Sequence, residues 1–416
     1  MPKAITATPR PEKRVPSIDL LRGLCIVAVV LHHINLRIPF RDSRLGQLIG
    51  PAANRALFWN GYYGVRMFFV ISGFLITSWS LKRWGGLSHI NLRQFYVMRF
   101  ARIVPCLAAL LLILSAFDRL GIPRFVINTQ HTSLTRALLA ALTFHVNWLE
   151  ARTGYLPASW DVLWSLSVEE VFYLGFPLLC VVLRKQALLT SLLTCFVLIG
   201  PYARVHSQNE LWSDYGYFSC MDGIAFGCLA ALVETRITLS SKANLAFRIG
   251  GTFLCLLITV FRGTAARLGL YKAGLDVTVM EIGTMLLLIA LQKTYEARED
   301  LDGDHERLNP GLPQNGPIRF RTFGNALFRS TAFLRWFGRN SYEVYLTHMF
   351  TVWPMVTLFF YFHQSRDLAP FWFFGTAALA GVIGYMVARF YSEPLNHRLR
   401  NKLSQIAQKG SPAAAD

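Results

Sequence analysis

Charge is scarce in this chain of 416 residues: Asp, Glu, Lys and Arg together make up 16% of it. Soluble domains carry about a quarter. The shortage excludes disorder as the dominant state, and it excludes an ordinary water-soluble enzyme. Acidic residues are the scarcer sign, 24 against 42 Lys and Arg, for a net charge of +18. Metal and redox signatures are missing as well. None of Cys25, Cys106, Cys180, Cys195, Cys220, Cys228 and Cys255 forms a CxxC pair, and all sit in or beside apolar runs, as small lipid-buried residues do. No HExxH spacing occurs, so no metal site and no permanently bound cofactor are expected. Asp300, Asp302 and Asp304 imitate the start of a calcium loop. His305 stands where that loop needs Gly, and no Glu holds its twelfth position. Ser72 lacks a GxSxG elbow and is read as a small-residue helix contact beside Gly73. There is no internal repeat.

What is abundant is apolar sequence, 53% of the chain. A membrane-crossing helix needs about 20 mostly apolar residues. Runs of that kind lie near 17–38, 60–81, 100–118, 160–183, 187–203, 217–234, 247–262, 273–292, 339–361 and 371–391. They predict an all-α polytopic membrane protein with about ten transmembrane helices. The run 134–148 is too short and reads as a re-entrant or interfacial helix. The first run contains Arg22 and no small-residue cleavage site follows it, so it reads as an uncleaved span. With the N-terminus inside, the inner segments hold 25 Lys and Arg, the outer segments hold 13, and four lie within spans. That asymmetry predicts cytosolic N- and C-termini. Topology and anionic lipid of the bilayer therefore explain the positive charge before nucleic acid does, and a cationic site for a phosphorylated ligand is the second explanation. The expected division is a tail over 1–15, a membrane domain over 16–398 with a cytosolic loop at 293–338, and a tail over 399–416. The Gly- and Pro-containing first half of that loop, 296–317, reads as flexible, and both tails read as mobile.

Polar residues inside the apolar runs are the functional candidates, because each is costly in a bilayer. The first helix carries Arg22 near its inner end and His33 eleven residues on, roughly 16 Å deeper and on the same face. His32 points about 100° away. A neutral imidazole can act as a base, and Arg can hold a phosphate or carboxylate. Snorkelling and a backbone-satisfied His are the plainer reading. Arg66 is intramembrane in the second helix. Arg99 and Arg102 share one face at the inner border of the third, where they suit either positive-inside anchoring or a phosphate-bearing ligand. Asp161, Ser165, Ser167, Glu169 and Glu170 crowd the outer end of the fourth. Asp161, Ser165 and Glu169 stack at four-residue spacing, which suits either a helix start or a polar wall for a hydroxylated substrate. Trp164 lies off that stripe, facing lipid or a neighbouring helix. Asp222 sits within the span at 217–234. His348, Tyr345, Thr347, Glu343 and Glu393 are weaker signals, each more often structural.

Five motifs then bear a resemblance. The first-helix Arg22-x10-His33, GVRMFFVISGFLIT, R-x-x-R-I-x-P at 99–105, WSLSVEE at 164–170 and NSYEVYLTH at 340–348 resemble the acyltransferase-3 family of integral membrane acyltransferases, over about residues 16–398. The resemblance implies a bacterial inner-membrane O-acyltransferase. It would take an acyl group, acetyl as the expected case, from cytosolic acyl-CoA as co-substrate. The acceptor would be a hydroxyl of a glycan, a glycolipid or another hydroxylated envelope compound. It implies a catalytic role for His33, with Arg22 as its partner, and CoA contacts for Arg99 and Arg102. Ser165, Glu169 and Asp222 are the candidate acceptor contacts. Two positions depart from the family pattern. Met98 stands where a second adjacent arginine is common, and Arg66 stands where an acid often follows GV, so the acidic role is not carried over. The tail after the last helix is too short for the extra hydrolase-like domain of some relatives. A transporter or flippase is the alternative reading, though no repeated half and no matching pair of broken helices supports it.

Overall fold

The structure is a computed structural model. It describes residues 14–127, 129–308 and 329–409, without the side chains of 158, 298–308 and 404–409. Every regular element among the described residues is helical. The long helices are α1 (Pro16–Asn35), α2 (Gly61–Trp84), α3 (Leu92–Arg119), α4 (Leu163–Leu183), α5 (Gln186–Val205), α6 (Tyr217–Glu234), α7 (Ser241–Thr259) and α8 (Leu275–Leu308). After the residues left out come α9 (Ser341–Thr347), α10 (Met349–Tyr361), α11 (Ala369–Val387) and α12 (Glu393–Lys409). Among the described residues nine helices are long and apolar enough to cross a membrane, and ten if α9 and α10 form one bent span. The chain is a multi-span membrane protein, as its hydropathy predicts.

Local sequence explains several boundaries. Pro16 opens α1, where its fixed φ suits a first turn and its missing N–H has no helical partner to lose. Asn91 caps α3 by accepting from the Gln94 N–H. Gly85 closes α2 in the left-handed region, φ 69°. The segment 134–148 forms two short helices, Leu134–Leu142 and Val146–Thr153, neither long enough to span. The loop expected at 296–317 differs: α8 continues as helix to Leu308. The run EAREDLDGDHERL is rich in helix-forming Glu, Ala, Arg and Leu, and its polarity removes it from the membrane without breaking the helix. Residues 309–328, most of the two tails and the side chains of Asp300, Asp302 and Asp304 lie outside the described residues.

Close packing is concentrated where glycines meet. A Cβ at Gly73 would run into the Ile224 carbonyl, and one at Gly227 into the Val70 carbonyl. Thus α2 and α6 approach backbone to backbone, as small residues allow in membrane helices. The short helix Ala332–Arg339 lies equally close to α1, with Gly23 against Leu334 and Gly338 against Asp19. The α9–α10 break bends the chain by 48° at His348. There the imidazole Nδ1 lies 2.7 Å from the Tyr345 carbonyl, so a side chain enters the backbone ladder where the bend falls.

Candidate active site

Two cavities lie at opposite ends of α1. The first, about 860 Å³, takes its wall from the C-terminal end of α1 and includes His33, Arg37, Asp161 and Trp164. The second, about 710 Å³, is lined near the start of α1 by Asp19 and Arg22 and includes Arg99, Arg102 and Glu169. Val65 and Tyr345 line both. The two spaces are therefore back to back, with a shared wall one side chain deep at those positions.

His33 stands on the wall of the first cavity, half-buried. Its Nδ1 lies 2.9 Å from the Val29 carbonyl, one turn back along α1. A carbonyl oxygen only accepts, so Nδ1 carries the proton and Nε2 keeps its lone pair. The same reasoning fixes His348, which is fully buried: its Nδ1 donates to the Tyr345 carbonyl, and its bare Nε2 faces His33 Nδ1 at 3.4 Å. The His33 ring is thus held from behind through Nδ1, and Nε2 makes no hydrogen bond among the described residues. His32 lines the same cavity and packs edge-on against Trp59, with Gly61 leaving room for its ring. Trp164, expected to face lipid or a neighbouring helix, is buried and stacks on Tyr215 at 4.1 Å between ring centroids. Glu150, from the short helix Val146–Thr153, accepts from the Leu156 N–H at 3.0 Å. Burial first, and then the neighbouring Asp161 carboxylate, hold the Glu150 carboxyl well above the usual range.

In the second cavity Arg22 donates to the Ser341 hydroxyl at 2.8 Å. The Arg99 guanidinium lies 3.4 Å over the Tyr173 ring, with its Nη2 3.9 Å from Glu169. Glu169 also accepts from Ser72 at 2.7 Å and from Tyr173 at 2.6 Å. Arg102 lies over Tyr342. The structure therefore brings Arg22, Arg99 and Arg102 together, and leaves His33 on the far side of the shared wall.

Three placements correct the sequence reading. Ser165 and Glu169 line the arginine cavity and not the space at the other end with His33. The expected stripe is divided: Asp161 ends the short helix Ala158–Asp161 before α4 and opens on one cavity, while Ser165 and Glu169 lie on α4 and open on the opposite one. Ser165 is engaged by the Tyr345 hydroxyl at 2.7 Å, which makes it part of the wall. Asp222 lines neither cavity: it is fully buried and paired with Arg204 at 2.7 Å. Arg66, the departure in the second helix, is also fully buried and donates to the Ser219 and Asp214 carbonyls and the Tyr62 hydroxyl. It is a packing centre, hydrogen-bonded to two backbone oxygens and one phenol hydroxyl. Sequence reasoning missed Tyr215 and Trp353 in the first cavity and the buried Glu150 near it, and counted Arg37 and Arg124 only as loop charges. Their one advance signal was an acid or an arginine beside aromatics in short outer segments. Among the described residues no group of His, Cys, Asp and Glu is arranged to hold a metal ion.

A multi-span helical membrane protein with a poised histidine on one side of a thin wall and clustered arginines on the other is the class that fold and site define. The chain belongs to the acyltransferase-3 family: the family model described as an acyltransferase domain matches residues 15–389. It is 25% identical over 368 residues to a peptidoglycan O-acetyltransferase of Listeria monocytogenes, covering 83% of this chain and 50% of that protein. It is 25% identical over 377 residues to a putative peptidoglycan O-acetyltransferase of Bacillus subtilis, covering 83% and 49%. A putative O-acetyltransferase of Staphylococcus aureus is 29% identical over 177 residues, 41% of this chain and 25% of that one. The chain thus spans about half the length of the first two relatives. No solved structure gives a significant match.

Proposed function

We propose that this protein is an O-acyltransferase of the bacterial inner membrane. It takes an acetyl group from acyl-CoA at the arginine cavity and delivers it to a hydroxyl of a carbohydrate in the His33 cavity. The observation that carries the reading is the free Nε2 of His33 on one side of a wall that has Arg22, Arg99 and Arg102 behind it. Phosphates of CoA pair with the arginines, whose N–H groups match phosphate oxygens. The pantetheine arm brings the thioester to the wall at Val65 and Tyr345. His33 Nε2 takes the proton of the acceptor hydroxyl, the oxygen attacks the thioester carbonyl, and the C–S bond breaks. The proton held on His33 then goes to the departing thiolate. The arginine cavity faces the cytosol in this scheme, which agrees with the basic bias of that end. Ser165 and Glu169 act on the donor side.

The test uses purified full-length protein in nanodiscs, with acetyl-CoA and an envelope extract, followed by mass spectrometry of glycans and lipids. A mass increment of one acetyl group, lost in His33→Ala, supports the reading. His33→Ala retaining full CoA-dependent transfer overturns the base assignment. Movement of a substrate with no covalent change favours a transporter.

A further inference from the structure

Arg37 lies one turn beyond His33 on the chain leaving α1, and its guanidinium donates to the His33 carbonyl at 3.1 Å. Its guanidinium carbon is 4.6 Å from the centre of the Trp353 indole. Arg124 comes to the same indole from the loop after α3, at 4.4 Å. The two cationic carbons are therefore no more than about 9 Å apart, comparable with the Debye length of about 8 Å at physiological salt. All three residues line the His33 cavity. Among the described residues neither arginine forms an ion pair with a carboxylate. Asp161, on the same cavity, attracts Arg37 across the space without forming an ion pair with it, and is itself engaged by Glu150 and by the Tyr215 hydroxyl at 3.4 Å.

Two guanidinium groups held against one ring repel one another unless an anion lies between or beside them. An arginine stacked on an indole also keeps its in-plane N–H groups free, in the fork that matches a carboxylate or phosphate. The backbone adds an independent sign. Arg124 sits in the left-handed region, φ 71°, where a long side chain is uncommon. The turn is closed by the Asp118 carboxylate, which accepts from the Ile127 N–H at 2.8 Å. Strain of this kind persists where the surroundings fix it, and it is concentrated at ligand-holding sites. The rest of the cavity presents Trp59 and Tyr155, aromatic rings suited to sugars, together with Asp161.

We infer that Arg37 and Arg124 form an anion subsite, and that the acceptor in the His33 cavity is an acidic saccharide carrying a carboxylate or phosphate about one helical turn from the hydroxyl that reacts. The inference rests on the reading of this cavity as the acceptor side. It concerns binding alone, so it can fail while acyl transfer stands, and it can hold if transfer fails.

The experiment is calorimetric titration of the full-length protein in phosphatidylcholine nanodiscs. Three acids are each compared with a neutral counterpart: glucuronate with glucuronamide, N-acetylmuramate with N-acetylglucosamine, and glucose 6-phosphate with glucose. At least one acid is expected to bind about tenfold more tightly than its counterpart, the worth of one charge-assisted hydrogen bond. The successful pair shows whether a carboxylate or a phosphate is read. The preference should vanish in Arg37→Gln and Arg124→Gln and largely survive in Arg124→Lys, which keeps the charge. No preference in any pair for the wild-type protein, absence of binding included, overturns the inference without recourse to a variant. So does a preference that persists in both glutamine variants. Loss of the preference when the nanodiscs are made with phosphatidylglycerol gives the arginines to lipid headgroups and overturns it as well.

Discussion

A single lone pair, His33 Nε2, is the residue on which the proposed chemistry turns. Its availability depends on Nδ1 being occupied by the Val29 carbonyl. Removing the imidazole in His33→Ala should lower the transfer rate by about 10²–10⁴-fold, the usual worth of a positioned base, as measured with radiolabelled acetyl-CoA. Arg204 and Asp222 have the opposite character: both are buried and paired at 2.7 Å, away from the cavities. Arg204→Met leaves a buried carboxylate without its cation and should cost ~3–5 kcal/mol. Thermal unfolding in detergent will show it, and adding Asp222→Leu should return part of the loss. Glu150 links stability to pH. Its carboxyl holds its proton more tightly folded than unfolded. The stabilisation is therefore complete below the ordinary value of 4.5 and falls away as pH rises through the raised folded value. Glu150→Gln, which keeps the shape and cannot ionise, should melt at a temperature less dependent on pH over that interval. His33, Arg22 and the arginines at 99 and 102 were legible in sequence because a charge in an apolar run is conspicuous. Arg204 was not, because it lies at the edge of its run, and only the fold turns it towards Asp222.

At the scale of elements, the helices themselves were legible, since hydropathy reports length and composition directly. Where they touch was not. The close contact of α2 with α6 depends on Gly73 and Gly227 meeting the carbonyls of the other helix. Gly73 was recognised as a notch, but a notch does not name its partner. Gly73→Leu should destabilise the protein by about 1–3 kcal/mol or more, the cost of forcing volume into a packed contact, and detergent-solubilised protein should elute aggregated at a lower temperature. The expected stripe at α4 shows the same limit from another side. Four-residue spacing placed Ser165 and Glu169 together on α4, yet Asp161 ends the short helix before it and opens on the other cavity. The break at His348 was hidden because its cause is a ring nitrogen turned back onto Tyr345, an event that leaves composition unchanged.

At the scale of the whole molecule, orientation carries the proposal. Lys242, in the first turn of α7, and Lys272, before α8, are both exposed and fall on opposite sides of the bilayer in the proposed topology. In a background without the native cysteines, Lys242→Cys should react with an impermeant maleimide only after the cells are opened, and Lys272→Cys should react in intact cells. The reverse pattern would invert the scheme. The shared wall at Val65 and Tyr345 has a consequence for how such a membrane stays sealed. A carrier must expose its cargo first to one side and then to the other, and each swing risks leakage of ions. In the proposed scheme the nucleotide and the sugar each remain in their own compartment, and the traffic is a two-carbon fragment passed between them where the wall is one side chain deep. Under that proposal the thioester's own breakdown would make the passage one-way, and export would require neither an ion gradient nor a rocking of the bundle.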